Sequence, residues 1–234
     1  MRKNSKGNLL IILGILLLAA AAGLAGYNLL DARRAQKAAE EITDQLISEI
    51  DSKVEDGKTA VPYVDPNTPM PVEVIDGYEY IGVLEIPSEG LSLPVMKEWD
   101  YTRLKISPCR FTGSYYSDDL VICAQNYMKH LGPLLQIGIG EEIYFTNVEG
   151  LTIHYIVTNR ETVEPTAVEQ MIENTSNSET SLLDWDLTLF TCNLGGQTRC
   201  AVRCSRVEES TDNQEIIHAS LHTFCAERHY FAPN

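Results

Sequence analysis

Cys192 and Arg199 lie close together in LTLFTCNLGGQTRCAVRCSR, and those two residue types at that spacing can do nucleophilic chemistry. DLTLFT, rich in β-branched and aromatic residues, reads as a strand ending at the cysteine. NLGGQT carries Gly195 and Gly196 in a short loop suited to a hairpin, and RCAVRCSR opens the next strand at Arg199. An antiparallel hairpin sets Cys192 beside Arg199 at one end of the sheet. A cation beside a thiol favours the reactive thiolate. A guanidinium can also donate hydrogen bonds to a carbonyl oxygen as it becomes an oxyanion. The same pattern fits a buried thiol near a surface arginine, and spacing alone does not choose between them. On the second strand Arg199, Ala201 and Arg203 share one face, while Cys200, Val202 and Cys204 share the other. Arg203 falls about 13 Å along the strand from Arg199. Arg199 is therefore the better neighbour for Cys192, and Cys200 and Cys204 read as core thiols.

Other segments must hold that hairpin in place. YIGVLEI, DLVICAQ, EEIYFTN and LTIHYIVT are short apolar runs separated by turn residues, which predicts strands. AVEQMIEN, near 167–174, predicts a short helix. Together with the hairpin they describe a small, mostly antiparallel β-barrel or sandwich. Cys123 lies in DLVICAQ and reads as a packed thiol. Six cysteines outside the cytoplasm permit disulfides, but no CxxC pair supports a zinc site. His218 and His222, i and i+4 apart near the C-terminus, lack a further ligand at metal spacing.

The chain has 234 residues and a composition ordinary for a globular protein, except at its start. Leu9 to Gly26 carries no charge, and the apolar run drifts on to Leu30, long enough for a membrane-spanning helix. Arg2, Lys3 and Lys6 precede it, which orients the N-terminus to the cytoplasm. The run exceeds the apolar part of a cleaved signal peptide, so an uncleaved signal anchor is expected. The expected location is the plasma membrane, single-pass, with the rest of the chain extracellular. Four segments follow: a cytoplasmic tip and anchor over 1–30, a helical stalk and Pro-rich linker over 31–77, a β-domain over 78–207 and a C-terminal extension over 208–234. In the stalk Ile42, Leu46 and Ile50 recur every four residues; a charged, partly solvated helix is expected, with a self-association seam as the alternative. A formal net charge of −15 argues against nucleic acid as a partner.

TLFTCNLGGQTR closely resembles the end of sortases, cysteine transpeptidases of Gram-positive cell surfaces, whose signature is a TLxTC strand followed after a short loop by an arginine. YIGVLEIPSEGLSLPVM, DLVICAQNY, KHLGPLLQIGIGEEIYFTN and HYIVTNRETVEP follow sortase order, so the resemblance covers about residues 78–207. It implies an eight-stranded sortase barrel with a short helix, preceded by the anchor and stalk. It further implies that Cys192 attacks a backbone carbonyl within an LPxTG-like sorting signal, with Arg199 positioning the signal and steadying the oxyanion. The acyl-enzyme would pass to an amine of a peptidoglycan precursor or a pilin lysine, so surface proteins or pilins are the implied partners. No cofactor is expected; some sortases bind calcium through acidic loops, and that point stays open because no acidic set here is distinctive.

The resemblance also exposes a departure. The sortase pattern places its catalytic histidine in a G-H-N or A-H-N step after the strand that reads DLVICA here, and this chain has Ala124-Gln125-Asn126. An imidazole can accept and donate a proton near neutral pH, and a primary amide cannot. Gln125 thus stands in the catalytic position with hydrogen bonding but no acid–base capacity. A catalytically weak or inactive sortase-fold protein that binds sorting signals or surface-protein partners is the alternative function. His130, in YMKHLG, is the nearest candidate for a substitute acid, and His154 reads as a packed or surface residue.

Overall fold

A computed structural model describes residues 5–55, 65–172 and 185–207. It contains a long helix, α1 (Ser5–Glu55), and nine strands: β1 (Glu73–Ile75), β2 (Tyr78–Ile86), β3 (Leu91–Met96), β4 (Cys109–Thr112), β5 (Leu120–Cys123), β6 (Glu142–Asn147), β7 (Thr152–Val163), β8 (Leu187–Cys192) and β9 (Arg199–Arg206). A short helix, α2 (Val168–Ile172), follows β7. The extension 208–234, with His218, His222 and Cys225, lies outside the described residues.

The order β2-β3-β4-β5-β8-β9-β7-β6 closes on itself when β6 pairs with β2, from Gly82 opposite Asn147 to Glu85 opposite Tyr144. The result is a closed, eight-stranded, mostly β barrel, with β1 added along the start of β2. Closure brings two backbones together at Gly82, where a β-carbon would lie 2.2 Å from the Thr146 carbonyl oxygen. Only glycine permits that approach.

Alternation along the strands divides the apolar residues into two sets. Leu84, Ile122, Phe145, Tyr155, Leu189 and Val202 fill the barrel interior. Tyr80, Val83, Met96, Cys123, Phe190 and Ala201 lie on the outer face and form a second cluster. Cys200 and Cys204 point inward, as their shared face predicts. Pro94, within β3, opposes Val83 and obscures that strand in the sequence, because proline donates no ladder hydrogen bond.

The structure differs from expectation in the segment before the barrel. The helix runs unbroken from the apolar span into 31–55, and Ile42, Leu46 and Ile50 join the outer cluster instead of facing solvent. They pack across β1, β2 and β3. The four-residue repeat was thus a docking face, and its charged surroundings masked it. Thr43 reaches the Ser92 carbonyl at 3.5 Å, and Lys53 pairs with Glu73 at 2.7 Å. The segment read as stalk and Pro-rich linker over 31–77 also contains β1, whose Glu73 and Val74 pair with Tyr80 and Glu79.

Burying each such aliphatic side chain is worth about 1.5–3 kcal/mol. Leu46, fully buried, is expected to cost about 2–5 kcal/mol on truncation to alanine. Chemical denaturation of the full chain, wild type against Leu46→Ala, measures that loss. A change under about 0.5 kcal/mol would mean the helix contributes nothing to barrel stability.

Candidate active site

β8 alternates Leu187 and Leu189 into the core with Thr188, Phe190 and Cys192 on the outer face. β9 pairs antiparallel with it, and Cys192 stands directly opposite Arg199. Between them Asn193–Thr198 forms a closed loop. The Asn193 amide donates to the Thr198 carbonyl at 2.9 Å, the Asn193 side chain donates to the Thr198 hydroxyl at 2.8 Å, and the Gly196 amide donates to the Asn193 carbonyl at 2.8 Å. Gly195 and Gly196 both hold positive φ, at 88° and 74°, which side chains resist. Arg199 is half-buried, and its Nη1 donates to the carbonyls of Gly196 and Thr198 at 3.1 and 3.2 Å. Its guanidinium therefore also clamps the loop.

On the other side of β8 runs β5, in parallel. Their register matches Leu120 with Leu187 and Cys123 with Phe190. Past the last pair, the Ala124 amide still donates to the Phe190 carbonyl at 3.3 Å, and the Thr191 hydroxyl donates to the Ala124 carbonyl at 2.9 Å. Extended two residues past the Cys123–Phe190 pair, the same register would carry half-buried Gln125 toward Cys192. Cys192 and Arg199 thus face each other at the ends of β8 and β9, and Gln125 lies in the segment just past the end of neighbouring β5. Neighbouring strands stand about 4.8 Å apart, so the flanking residues lie within reach of a substrate on the thiol.

Cys192 is the one cysteine among the described residues that is not fully buried. Burial pushes the Cys109 thiol up to about 12 and raises those of Cys123, Cys200 and Cys204, keeping them protonated and unreactive. All five described cysteines are free, and Cys109 faces Cys123 across the β4–β5 ladder as a packed pair. Arg203 is buried on β9, pairs with Glu161 at 2.7 Å and lies 4.8 Å from the Trp185 ring centre. Its engagement there leaves Arg199 as the arginine next to the thiol. Among the described residues no three His, Cys, Asp or Glu side chains gather as a metal site.

The loop after β5 turns at Tyr127, whose carbonyl accepts from the amides of His130 and Gly132. His130 is fully buried, its ring 5.3 Å from that of Tyr127, and neither ring nitrogen has a hydrogen-bond partner. Desolvation lowers its pKa to about 4, so it is neutral at pH 7. His154 lies on β7, stacked on Tyr144 with ring centres 4.6 Å apart, away from the thiol's end of the barrel. The sequence reading did not single out Thr191. Its hydroxyl ties the β8 end to β5, and only the long-range pairing shows that role.

The model of the family described as "Sortase domain" matches residues 84–207. No curated protein matches the chain. Among solved structures it is similar to sortase C1 from Streptococcus suis, at 25% identity over 58% of this chain and 76% of that one, TM-score 0.46. A sortase C from Clostridium perfringens SM101 shares 20% identity over 72% of this chain and 91% of that one, TM-score 0.48. A Streptococcus pneumoniae sortase C shares 19% over 74% and 96%, TM-score 0.49.

Two consequences of this geometry can be measured. Thr191→Val leaves the Ala124 carbonyl unpaired in a buried place and is expected to cost about 1–3 kcal/mol. Hydrogen exchange should then show the amides of 120–124 less protected; unchanged protection would mean the hydroxyl does not join the strands. His130 has a folded pKa below its unfolded value near 6.5, so the unfolded state binds more protons between the two. Its contribution to stability is complete above about pH 6.5 and declines as pH falls toward 4. From pH 7 to 5 the loss is roughly 2 kcal/mol. His130→Phe should flatten that part of the stability profile, and an unaltered profile would show that the ring is not buried neutral.

Proposed function

This chain belongs to the sortase family, and on that footing we propose that it is a membrane-tethered cysteine transpeptidase slowed by Gln125. The observation that supports the reading most directly is the pairing of Cys192 with Arg199 across β8 and β9, with Gln125 just past the end of neighbouring β5. In the proposed reaction Cys192 Sγ attacks the carbonyl carbon of a peptide bond inside an LPxTG-like sorting signal. That bond breaks, the departing amine takes up a proton, and a thioester remains. An amine from a peptidoglycan precursor or a pilin lysine then attacks the thioester, forms a new amide and frees the thiol. Arg199 would turn part of its guanidinium from the loop carbonyls to the oxyanion.

Proton transfer is the weak step. Gln125 can hydrogen-bond the thiol or the amine but cannot carry a proton between them. Buried His130 is neutral at pH 7, and a pKa of about 4 makes it a poor acid partner there. Water must then move the thiol's proton to the leaving amine. Those two residues favour a second reading, in which the chain binds sorting signals on its outer face and hardly cleaves them.

The apolar span Leu9–Asp31 is long enough to cross a bilayer, and the basic residues before it favour a cytoplasmic N-terminus with an extracellular barrel. A quenched LPxTG-type peptide given to the full chain tests the reaction. Slow turnover is expected for wild type and none for Cys192→Ala, with a thioester on Cys192 visible by mass spectrometry. Gln125→His should speed turnover by about 10²–10⁴, the usual worth of general acid–base catalysis. If the peptide binds while both wild type and Gln125→His leave it intact, the binding-only reading replaces this one.

A further inference from the structure

The pairing directions place one set of loops at a single end of the barrel. β5 and β8 end there, β6 and β9 begin there, and β3 begins there after its hairpin with β2. That end carries the candidate active site. It also carries three apolar side chains on separate loops that protrude into solvent: Leu194 at 85% exposure, Met128 at 74% and Ile139 at 64%. Leu194 extends from the Cys192–Arg199 hairpin, Met128 from the loop after Gln125, and Ile139 from the loop before β6. Lys129 is exposed beside Met128.

α1 tells which way this end faces. Lys53 lies at the opposite end of the barrel, against Glu73 and the Val148 carbonyl. Thr43 reaches Ser92 near the start of β3. From Thr43 back to Asp31 the helix climbs roughly 18 Å farther, at 1.5 Å per residue. There the Tyr127 hydroxyl, on the loop that follows Gln125, donates to the Asp31 carboxylate at 3.3 Å. Asp31 is the last residue of the apolar span. Arg33 and Arg34, just past it, are exposed.

We infer that the site-bearing end of the barrel rests on the lipid surface, with Met128, Ile139 and Leu194 entering the interface and Lys129, Arg33 and Arg34 among anionic headgroups. The occupant of these apolar loops is the bilayer, because the loop that carries Met128 is tied to the last residue of the apolar span by the Tyr127–Asp31 hydrogen bond. Isolated apolar side chains are ordinary on a protein surface; three on separate loops at the end that meets a membrane span are a membrane-contact pattern. A substrate would then reach Cys192 along the membrane plane. The inference rests on the proposal that Leu9–Asp31 is an anchor.

The test uses the full chain in nanodiscs of phosphatidylcholine and phosphatidylglycerol, with and without brominated acyl chains. Tryptophan is introduced singly as Leu17→Trp, Leu194→Trp or Val74→Trp, and the wild-type emission is subtracted. Brominated lipid should quench the added emission at 17 and 194 and spare it at 74, on the far end. Quenching at 17 with none at 194 overturns the contact and leaves the anchor standing. Quenching at neither overturns both. Because the substitution at 194 alters a loop, hydrogen exchange of the unaltered chain is a second readout. Amides of 193–198 should exchange more slowly in nanodiscs than in amphipol, and equal rates overturn the inference.

Discussion

The parallel ladder between β5 and β8 is the contact on which the candidate site depends. It joins segments far apart in the sequence and lets Gln125 continue alongside Cys192. A hairpin turn cannot connect parallel strands, so the chain between them must cross over. It does so through β6, β7 and α2, and those strands close the barrel on its other side. Barrel closure and site assembly are therefore one event. The close approach at Gly82 and the hydroxyl of Thr191 serve the same end, the first by letting β6 reach β2 and the second by holding the tip of β8 against β5.

Within that frame the described cysteines differ in burial by position. Among the described cysteines, four lie in the interior or under the outer cluster, where desolvation disfavours a thiolate. The fifth sits at a strand end, half-buried, where the sheet frays into loops. Placement supplies accessibility and a neighbouring cation, while among the described residues His130 is buried away from solvent and Gln125 cannot titrate. An amide at 125 keeps the geometry of a hydrogen-bonding partner and forfeits its titration. An intact barrel does not by itself carry the chemistry, because fold and catalysis rest on different properties of the same residues.

The hairpin was legible in the sequence because all its signals are local: a β-branched run, two glycines, and a second run whose alternation puts Cys200, Val202 and Cys204 inward. The faces of β9 and the Cys192–Arg199 pairing follow from that hairpin alone. β3 and β4 were not singled out as strands by residue pattern. Pro94 interrupts the first, and CRFT is too short to show a period. Gln125 was found through family resemblance, since no local rule marks a glutamine as a site residue. The four-residue repeat of Ile42, Leu46 and Ile50 was visible, but its partner was not. An amphipathic face states that something covers it and does not state what. Here the cover is the outer face of β1 to β3, tens of residues downstream.

That docking changes what the N-terminal helix does. A solvated stalk would let the barrel pivot freely about the helix. A helix that is continuous from the span to Glu55, and buried along Ile42, Leu46 and Ile50, couples the tilt of the barrel to the tilt of the span. Hinge motion would need a break in backbone hydrogen bonding or loss of the packed face, and α1 contains no proline to invite one. The orientation of the barrel is then set by the side of the helix on which it docks. Tyr127, reaching Asp31 from the loop after Gln125, adds a second point of attachment on the site's own side. Two attachments at different heights along one helix fix a direction, with the loop after Gln125 turned toward Asp31.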